Sequence, residues 1–186
     1  PTTHSSTWTQ FRQNRQHHGF ITTSTPPPKL KIIAYHTGNY VTSSPAISSD
    51  GKTMYVGSLD RHLHAINVET GQMVWKYKTG SSINSSPCIS PDGSIIFVGS
   101  NDHKLHAVDA RNGEKIWEYK TEGKAAIRGL ILKEDHRDKV YFCDQGNLIA
   151  LYASNGATVK EFGKKGKIKL KKKCQITPVI VDDKII

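Results

Sequence analysis

The chain has 186 residues, of which 36% are hydrophobic, 23% charged and 8% aromatic, with 15 Gly and 8 Pro; this balance excludes a coiled coil, a collagen-like chain and a fully disordered one. Its 26 Lys and Arg against 16 Asp and Glu give a net charge of +10, which means either an anionic partner or a solvated basic face. No run approaches the roughly 18 to 20 apolar residues that span a bilayer, and Cys88, Cys143 and Cys174 are too few and too far apart for a disulfide framework or a CxxC metal knuckle.

In chain order, residues 1–31 read as a leader, with Pro26-Pro27-Pro28 near its end. A short apolar segment at 32–38 follows. From residue 43 the chain repeats itself. Ser43-Ser44-Pro45-Ala46-Ile47-Ser48 returns as Ser85-Ser86-Pro87-Cys88-Ile89-Ser90, Val56-Gly57-Ser58 as Val98-Gly99-Ser100, and Leu63-His64-Ala65 as Leu105-His106-Ala107. Trp75-Lys76-Tyr77-Lys78-Thr79-Gly80 returns as Trp117-Glu118-Tyr119-Lys120-Thr121-Glu122, and every pair is 42 residues apart. The same period places Ile33, Tyr35, Thr37 and Gly38 ahead of the first unit as an outer-strand motif without its Trp. A third copy is degenerate: after one inserted residue Leu148-Ile149-Ala150 and Asn155-Gly156 recur, with Lys160 where Trp stood and Phe162 for the Tyr.

Within each unit, segments of four to six residues rich in Val, Ile, Tyr and Trp alternate with Asp-Gly, Thr-Gly or Asn-Gly turns, which supply the positive φ that tight hairpins need. Each unit therefore reads as four antiparallel strands, and such a sheet repeated every 40 to 50 residues is a β-propeller blade. The expected fold is all-β: an outer, ring-closing strand at 32–38, blade 1 at 43–80, blade 2 at 85–122, blade 3 at 127–163, a basic inter-blade loop at 164–174 and the start of a fourth blade at 175–186. Three full blades leave apolar sheet faces uncovered, so these residues are expected to be the N-terminal part of a larger ring.

The runs Ala65-Ile66-Asn67-Val68-Glu69-Thr70-Gly71-Gln72-Met73-Val74-Trp75 and Ala107 to Trp117 resemble the tryptophan-docking motif of the PQQ-like (quinoprotein-type) propeller repeat. The leader, with Trp8, Phe11, Arg12, Asn14 and Gly19, is similar to the segment that precedes the first blade in many secreted or envelope members. WD40 repeats are the nearest rival, but their Gly-His and Trp-Asp dipeptides are absent. The resemblance implies a ring of seven or eight blades and a place in the cell envelope, periplasm or outside the cell. It assigns docking roles to Ala65, Gly71, Trp75, Ala107, Gly113 and Trp117. A small Ala permits close sheet packing, Gly makes the turn, and the indole packs between blades while its N–H finds a partner.

Members that are dehydrogenases hold the quinone PQQ with Ca²⁺ over the central channel and often carry an adjacent Cys pair, which this sequence lacks. The resemblance therefore favours relatives without cofactor, such as the outer-membrane assembly lipoproteins, which act as interaction scaffolds. The N-terminal portion of a PQQ-dependent dehydrogenase, or a sensor propeller fused to another domain, are the alternatives.

No phosphate-binding loop, nucleophile elbow or catalytic triad is present. Ser43, Ser44, Ser85 and Ser86 recur with the repeat and read as strand-end hydrogen bonders, and Cys88 as a small core residue. His62 with His64, and His103 with His106, lie close on their strands, but two imidazoles without a carboxylate or thiolate make a weak metal site, so no metal is assigned. The strongest functional signal is basic: from Lys160 to Lys173 the chain carries +7. Lys164, Lys165, Lys167, Lys169, Lys171, Lys172 and Lys173 are the expected contacts to an anionic partner, alongside other proteins or the remainder of the propeller. Without interleaved aromatics or Arg, sequence-specific nucleic-acid readout is disfavoured.

Overall fold

The computed structural model describes residues 32–122, 139–144 and 146–170, and the backbone alone at 130–133, 180–181 and 184–185. The leader, Lys171 to Lys173 and most of the expected fourth blade lie outside these residues. The described chain is all-β. Blade 1 is a meander of β1 (Ala46–Ile47), β2 (Thr53–Gly57), β3 (His62–Asn67) and β4 (Met73–Lys78), hydrogen-bonded in that order. Blade 2 repeats it with β5 (Cys88–Ile89), β6 (Ile95–Gly99), β7 (Lys104–Asp109) and β8 (Lys115–Lys120). Blade 3 is β9 (Leu130–Lys133), β10 (Lys139–Asp144), β11 (Asn147–Tyr152) and β12 (Lys167–Lys169), and β13 (Ile180–Val181) pairs with β14 (Lys184–Ile185).

The registers of blades 1 and 2 are copies: Tyr55 faces Ala65 and Ala65 faces Trp75, as Phe97 faces Ala107 and Ala107 faces Trp117. Turn chemistry sets this register. Asp50 and Asp92 accept from Lys52 N–H and Ser94 N–H, while Gly51 and Gly93 take the positive φ of the hairpin tip. At the inner ends, the buried Ser43 hydroxyl bonds both the N–H and the carbonyl of Gly57, and Ser85 does the same to Gly99. Ser86 Oγ instead reaches across the seam to accept from Ser44 N–H at 3.0 Å.

Alternation of side chains across each pleat gives every sheet two apolar faces, and the core is the set of seams between blades. One seam packs Tyr55, Leu63, Ala65 and Trp75 of blade 1 against Ile89, Ile96, Val98 and Val108 of blade 2. The next packs Phe97, Leu105 and Ala107 against Val140, Phe142, Ile149 and Leu151. The indole N–H of Trp75 donates to Ala110 O across its seam at 3.1 Å, and that of Trp117 to Ala153 O at 2.9 Å. Each ring lies flat on the turn glycine of the next blade. A Cβ on Gly113 would stand 2.7 Å from Trp75 Cε3, and one on Gly156 2.7 Å from Trp117 Cε3.

Blade 3 departs from the sequence expectation. Its outer strand does not end at 163: Thr158 bridges Leu151 and Val159 bonds Ala150, the chain then makes an excursion, and pairing resumes as Gly166 O accepts from Ala150 N–H and Ile168 faces Leu148. Residues 160–165 are thus an insertion within the strand, and β12 lies inside the stretch assigned to an inter-blade loop. Lys160 is exposed on that insertion. The place taken by Tyr77 and Tyr119 belongs to Ile168, while Phe162 packs edge-on against Tyr141 with ring centroids 5.3 Å apart. A one-for-one step along the repeat cannot locate an insertion that carries no strand residues of its own.

Candidate functional site

Three features outside the apolar core carry chemistry: a polar relay at the seams, the open face of blade 1 and the lysine-rich segment.

The relay is built from the outer strand of one blade and the β2–β3 turn of the next. At the first seam Tyr35 Oη–H donates to His64 Nδ1 at 2.9 Å, His64 Nε2–H donates to Asp60 Oδ2 at 2.9 Å, and Gly38 N–H donates to the same oxygen at 2.9 Å. At the second, Tyr77, His106, Asp102 and Gly80 make the same four-residue arrangement at 3.0, 3.0 and 2.9 Å. Burial holds the pKa of both imidazoles below their usual value, against the pull of the neighbouring carboxylate. A neutral ring with an ionised carboxylate on Nε2 must carry its proton there, so Nδ1 is the acceptor of the phenol. Burial also works against the Asp60 carboxylate, yet the N–H groups of Gly38 and His62, with His64, hold its pKa below the usual range. The Tyr77 hydroxyl is pushed up to about 12 by burial and by Glu118 and Asp102.

This relay explains the Tyr-x-Thr-Gly at residues 35–38 and 77–80: its Tyr and Gly grip the His and Asp of the neighbouring sheet, and where the relay is lost the sequence reads Tyr119-Lys120-Thr121-Glu122. Residues 32–38 form no strand, yet they lie as an outer strand would, with Tyr35 and Gly38 in the relay and Ile33 over Gly71, where a Cβ would stand 2.2 Å from Ile33 Cγ2. In blade 3 the turn from β10 to β11 is one residue shorter and Ile149 replaces the His. Tyr119 there packs into the apolar cluster that contains Ile149.

Asp60 also brings a third donor into play. His62, two residues before His64 on the same face of β3, has Nδ1 2.9 Å from the Asp60 carbonyl oxygen and 3.5 Å from Oδ1. Asp60, His62 and His64 each offer a ligand atom within 4.8 Å of the others, the one such group among the described residues. The sequence reading found both imidazoles and missed the carboxylate, because Asp60 sits in a turn rather than on the strand. His103 is not equivalent to His62: it occupies the turn at φ 67°, and Lys104 holds the matching strand position, paired with Glu118 at 2.6 Å.

The second feature is a groove of about 470 Å³ on the outer face of blade 1, lined by Ile33, Tyr35, Val41, Ile47, Met54 and Val56 among others. Its lining repeats residues that are sealed one blade later. Val41 is 46% exposed where Ile83 is 0%, and Val68 is 37% exposed where Ala110 is 8%. At the other end, Phe162 and Leu170 from the inserted outer strand pack over Tyr141, Leu148 and Ala150.

The third feature is split by the structure. Lys164, Lys165 and Lys169 are exposed, whereas the Lys167 ammonium meets Glu122 at 2.9 Å beside the seam with blade 2. Cys143 is disulfide-bonded and Cys88 is buried. No helix among the described residues is long and apolar enough to cross a membrane.

Solved structures with this arrangement include BamB from Moraxella catarrhalis, at TM-score 0.65 and 24% identity over 80% of this chain and 43% of that one. The WD40 repeats of RRP9 align at TM-score 0.59 and 13% identity, over 66% of this chain and 38% of that one. Both likenesses show the propeller fold, and the chain spans less than half the length of either. No curated protein matches the sequence. The family model described as outer membrane protein assembly factor BamB matches residues 3–184, so the chain belongs to that PQQ-like propeller family.

Proposed function

We propose that the chain is a non-catalytic propeller module that works as a protein-interaction scaffold, and that the blade 1 groove receives its partner. The observation that carries this reading is the groove itself. Its walls are the repeat-equivalents of Ile83, Ile89, Ile96 and Val98, all buried in the seam between blades 1 and 2. Residues 32–38, though not a strand, lie over blade 1 as the outer strand of a neighbouring blade would. What fits is therefore three further strands presenting a Tyr, Leu and Ala face, added to the free edge of that segment by strand pairing. The remainder of a ring or another protein of the same repeat supplies such a face.

The non-enzymatic reading is supported by the Tyr, His and Asp groups of the two relays, which spend their hydrogen bonds on one another within the seams. Membership of the outer membrane protein assembly factor family, together with the disulfide at Cys143, supports an oxidising envelope compartment. Lys164, Lys165 and Lys169, with Lys171 to Lys173, are a second contact surface for an anionic partner.

Sedimentation velocity over a range of concentrations tests the groove. The chain is expected to self-associate through it, and Val41→Lys combined with Val68→Lys to give a monomer of unchanged melting temperature. A wild-type chain that stays monomeric throughout and melts cooperatively contradicts the proposal. Adding PQQ and Ca²⁺ is expected to leave the quinone spectrum unchanged; a saturable shift would establish the dehydrogenase-type alternative.

A further inference from the structure

We propose that Asp60, His62 and His64 form a binding site for one divalent transition-metal ion of the zinc class, placed at the seam where residues 32–38 meet blade 1. The donor set is one carboxylate and two imidazoles, which suits Zn²⁺ and its neighbours rather than Ca²⁺ or Mg²⁺, and leaves a fourth position for water or a partner's side chain. Four-coordinate zinc with bonds of about 2.0 Å sets its ligand atoms about 3.3 Å apart. Here His64 Nε2 is 2.9 Å from Asp60 Oδ2 and His62 Nδ1 is 3.5 Å from Asp60 Oδ1, with all three donors inside 4.8 Å. A turn of the His62 ring away from the Asp60 carbonyl, which its Nδ1 meets at 2.9 Å, is the main adjustment required.

The supporting shell is in place. Asp60 is oriented by N–H groups of His62 and Gly38, each at 2.9 Å. Metal-bound imidazoles donate their other N–H to a second partner, and Tyr35 Oη already lies 2.9 Å from His64 Nδ1. When the ion enters between His64 and Asp60, the ring proton passes from Nε2 to Nδ1. The phenol turns from donor to acceptor, and the imidazole remains neutral.

Blade 2 is the internal comparison. It retains the relay through Tyr77, His106, Asp102 and Gly80, yet has Lys104 where blade 1 has His62. The seam therefore does not require His62. The second imidazole is an addition to a structural motif that converts a two-donor pair into a three-donor set.

The test is titration of the whole chain with Zn²⁺ followed by calorimetry, and with Co²⁺ followed by visible absorption, for wild type and for His62→Lys, which writes the blade 2 residue into blade 1. Wild type is expected to take up one equivalent at this site and to show the intense bands of four-coordinate Co²⁺. His62→Lys should keep the metal-free melting temperature and lose about 100-fold in affinity, and Tyr35→Phe about tenfold, as second-shell removal does. His62→Gln gives the same comparison without added charge if the Lys variant melts early. Absence of stoichiometric uptake by wild type, or uptake undiminished in both His62 variants, overturns the proposal.

Discussion

Replacing Gly113 by Ala tests the indole-on-glycine seam at one atom. Gly113 has φ +75°, and an added Cβ would stand 2.7 Å from Cε3, 2.8 Å from Cδ2 and 3.1 Å from Cγ of Trp75. These atoms belong to the body of a rigid ring, which cannot slide away without giving up its N–H bond to Ala110 O. Two costs add: about 1–2 kcal/mol for a side chain in the left-handed region, and about 1–3 kcal/mol for forcing an atom into a packed contact. Gly51 separates them, since its φ is +72° and nothing lies within 4 Å of its added Cβ. In urea unfolding, Gly51→Ala should cost about 1–2 kcal/mol, and Gly113→Ala about 2–5 kcal/mol. Each kcal/mol lowers the melting temperature by roughly 2–4 °C in a chain of this size. If the two variants lose equal stability, the docked indole is not what Gly113 serves and the seam reasoning fails.

The relay makes two more predictions. Tyr77→Phe leaves a buried imidazole nitrogen without its donor and should cost about 1–3 kcal/mol, whereas Tyr119→Phe, facing the cluster that holds Ile149, should be near neutral in the same denaturation assay; equal effects would contradict the relay. His106 has a folded pKa below its ordinary 6.5, so below that pH the unfolded chain binds more protons than the folded one. The contribution of this burial is complete above about pH 6.5 and is lost as the pH falls from there toward the folded value. The urea midpoint should drop over this window, and less steeply in His106→Gln; an identical slope would show that His106 does not titrate with folding. Changing Lys169, Lys171, Lys172 and Lys173 to Glu should shift stability by no more than about 0.5 kcal/mol while abolishing salt-sensitive binding to polyglutamate, and unchanged binding would reject the anionic contact.

The fold was legible because it is written three times. A 42-residue period with Gly turns and paired Trp leaves few architectures, and the same step placed Ile33 where an indole would stand, as the contact over Gly71 shows. The period hid what is not periodic. The insertion at 160–165 adds residues inside a strand, so counting forward misplaced Lys160 and Phe162 and put β12 in a loop. Asp60 and Asp102 escaped notice for a different reason: they lie in turns, where Asp is expected on local grounds, and one partner of each, the N–H of Gly38 or Gly80, comes from the preceding outer-strand motif. Only the folded seam brings Tyr35, Asp60 and His64 together. The bridge at Cys143 was likewise invisible to spacing, because sequence separation does not measure distance in the folded chain.

The most direct test of the scaffold account is carbene footprinting of the folded chain at repeat-equivalent positions. At concentrations low enough to keep the chain monomeric, Val41 and Val68, on the open face, should label heavily, while Ile83 and Ala110, sealed one blade later, should be protected. Protection of Val41 and Val68 should then appear only when further blades or a partner are present. Equal protection of both sets in the isolated monomer would mean that the groove is already filled, and the account of blade 1 as a docking face would be wrong.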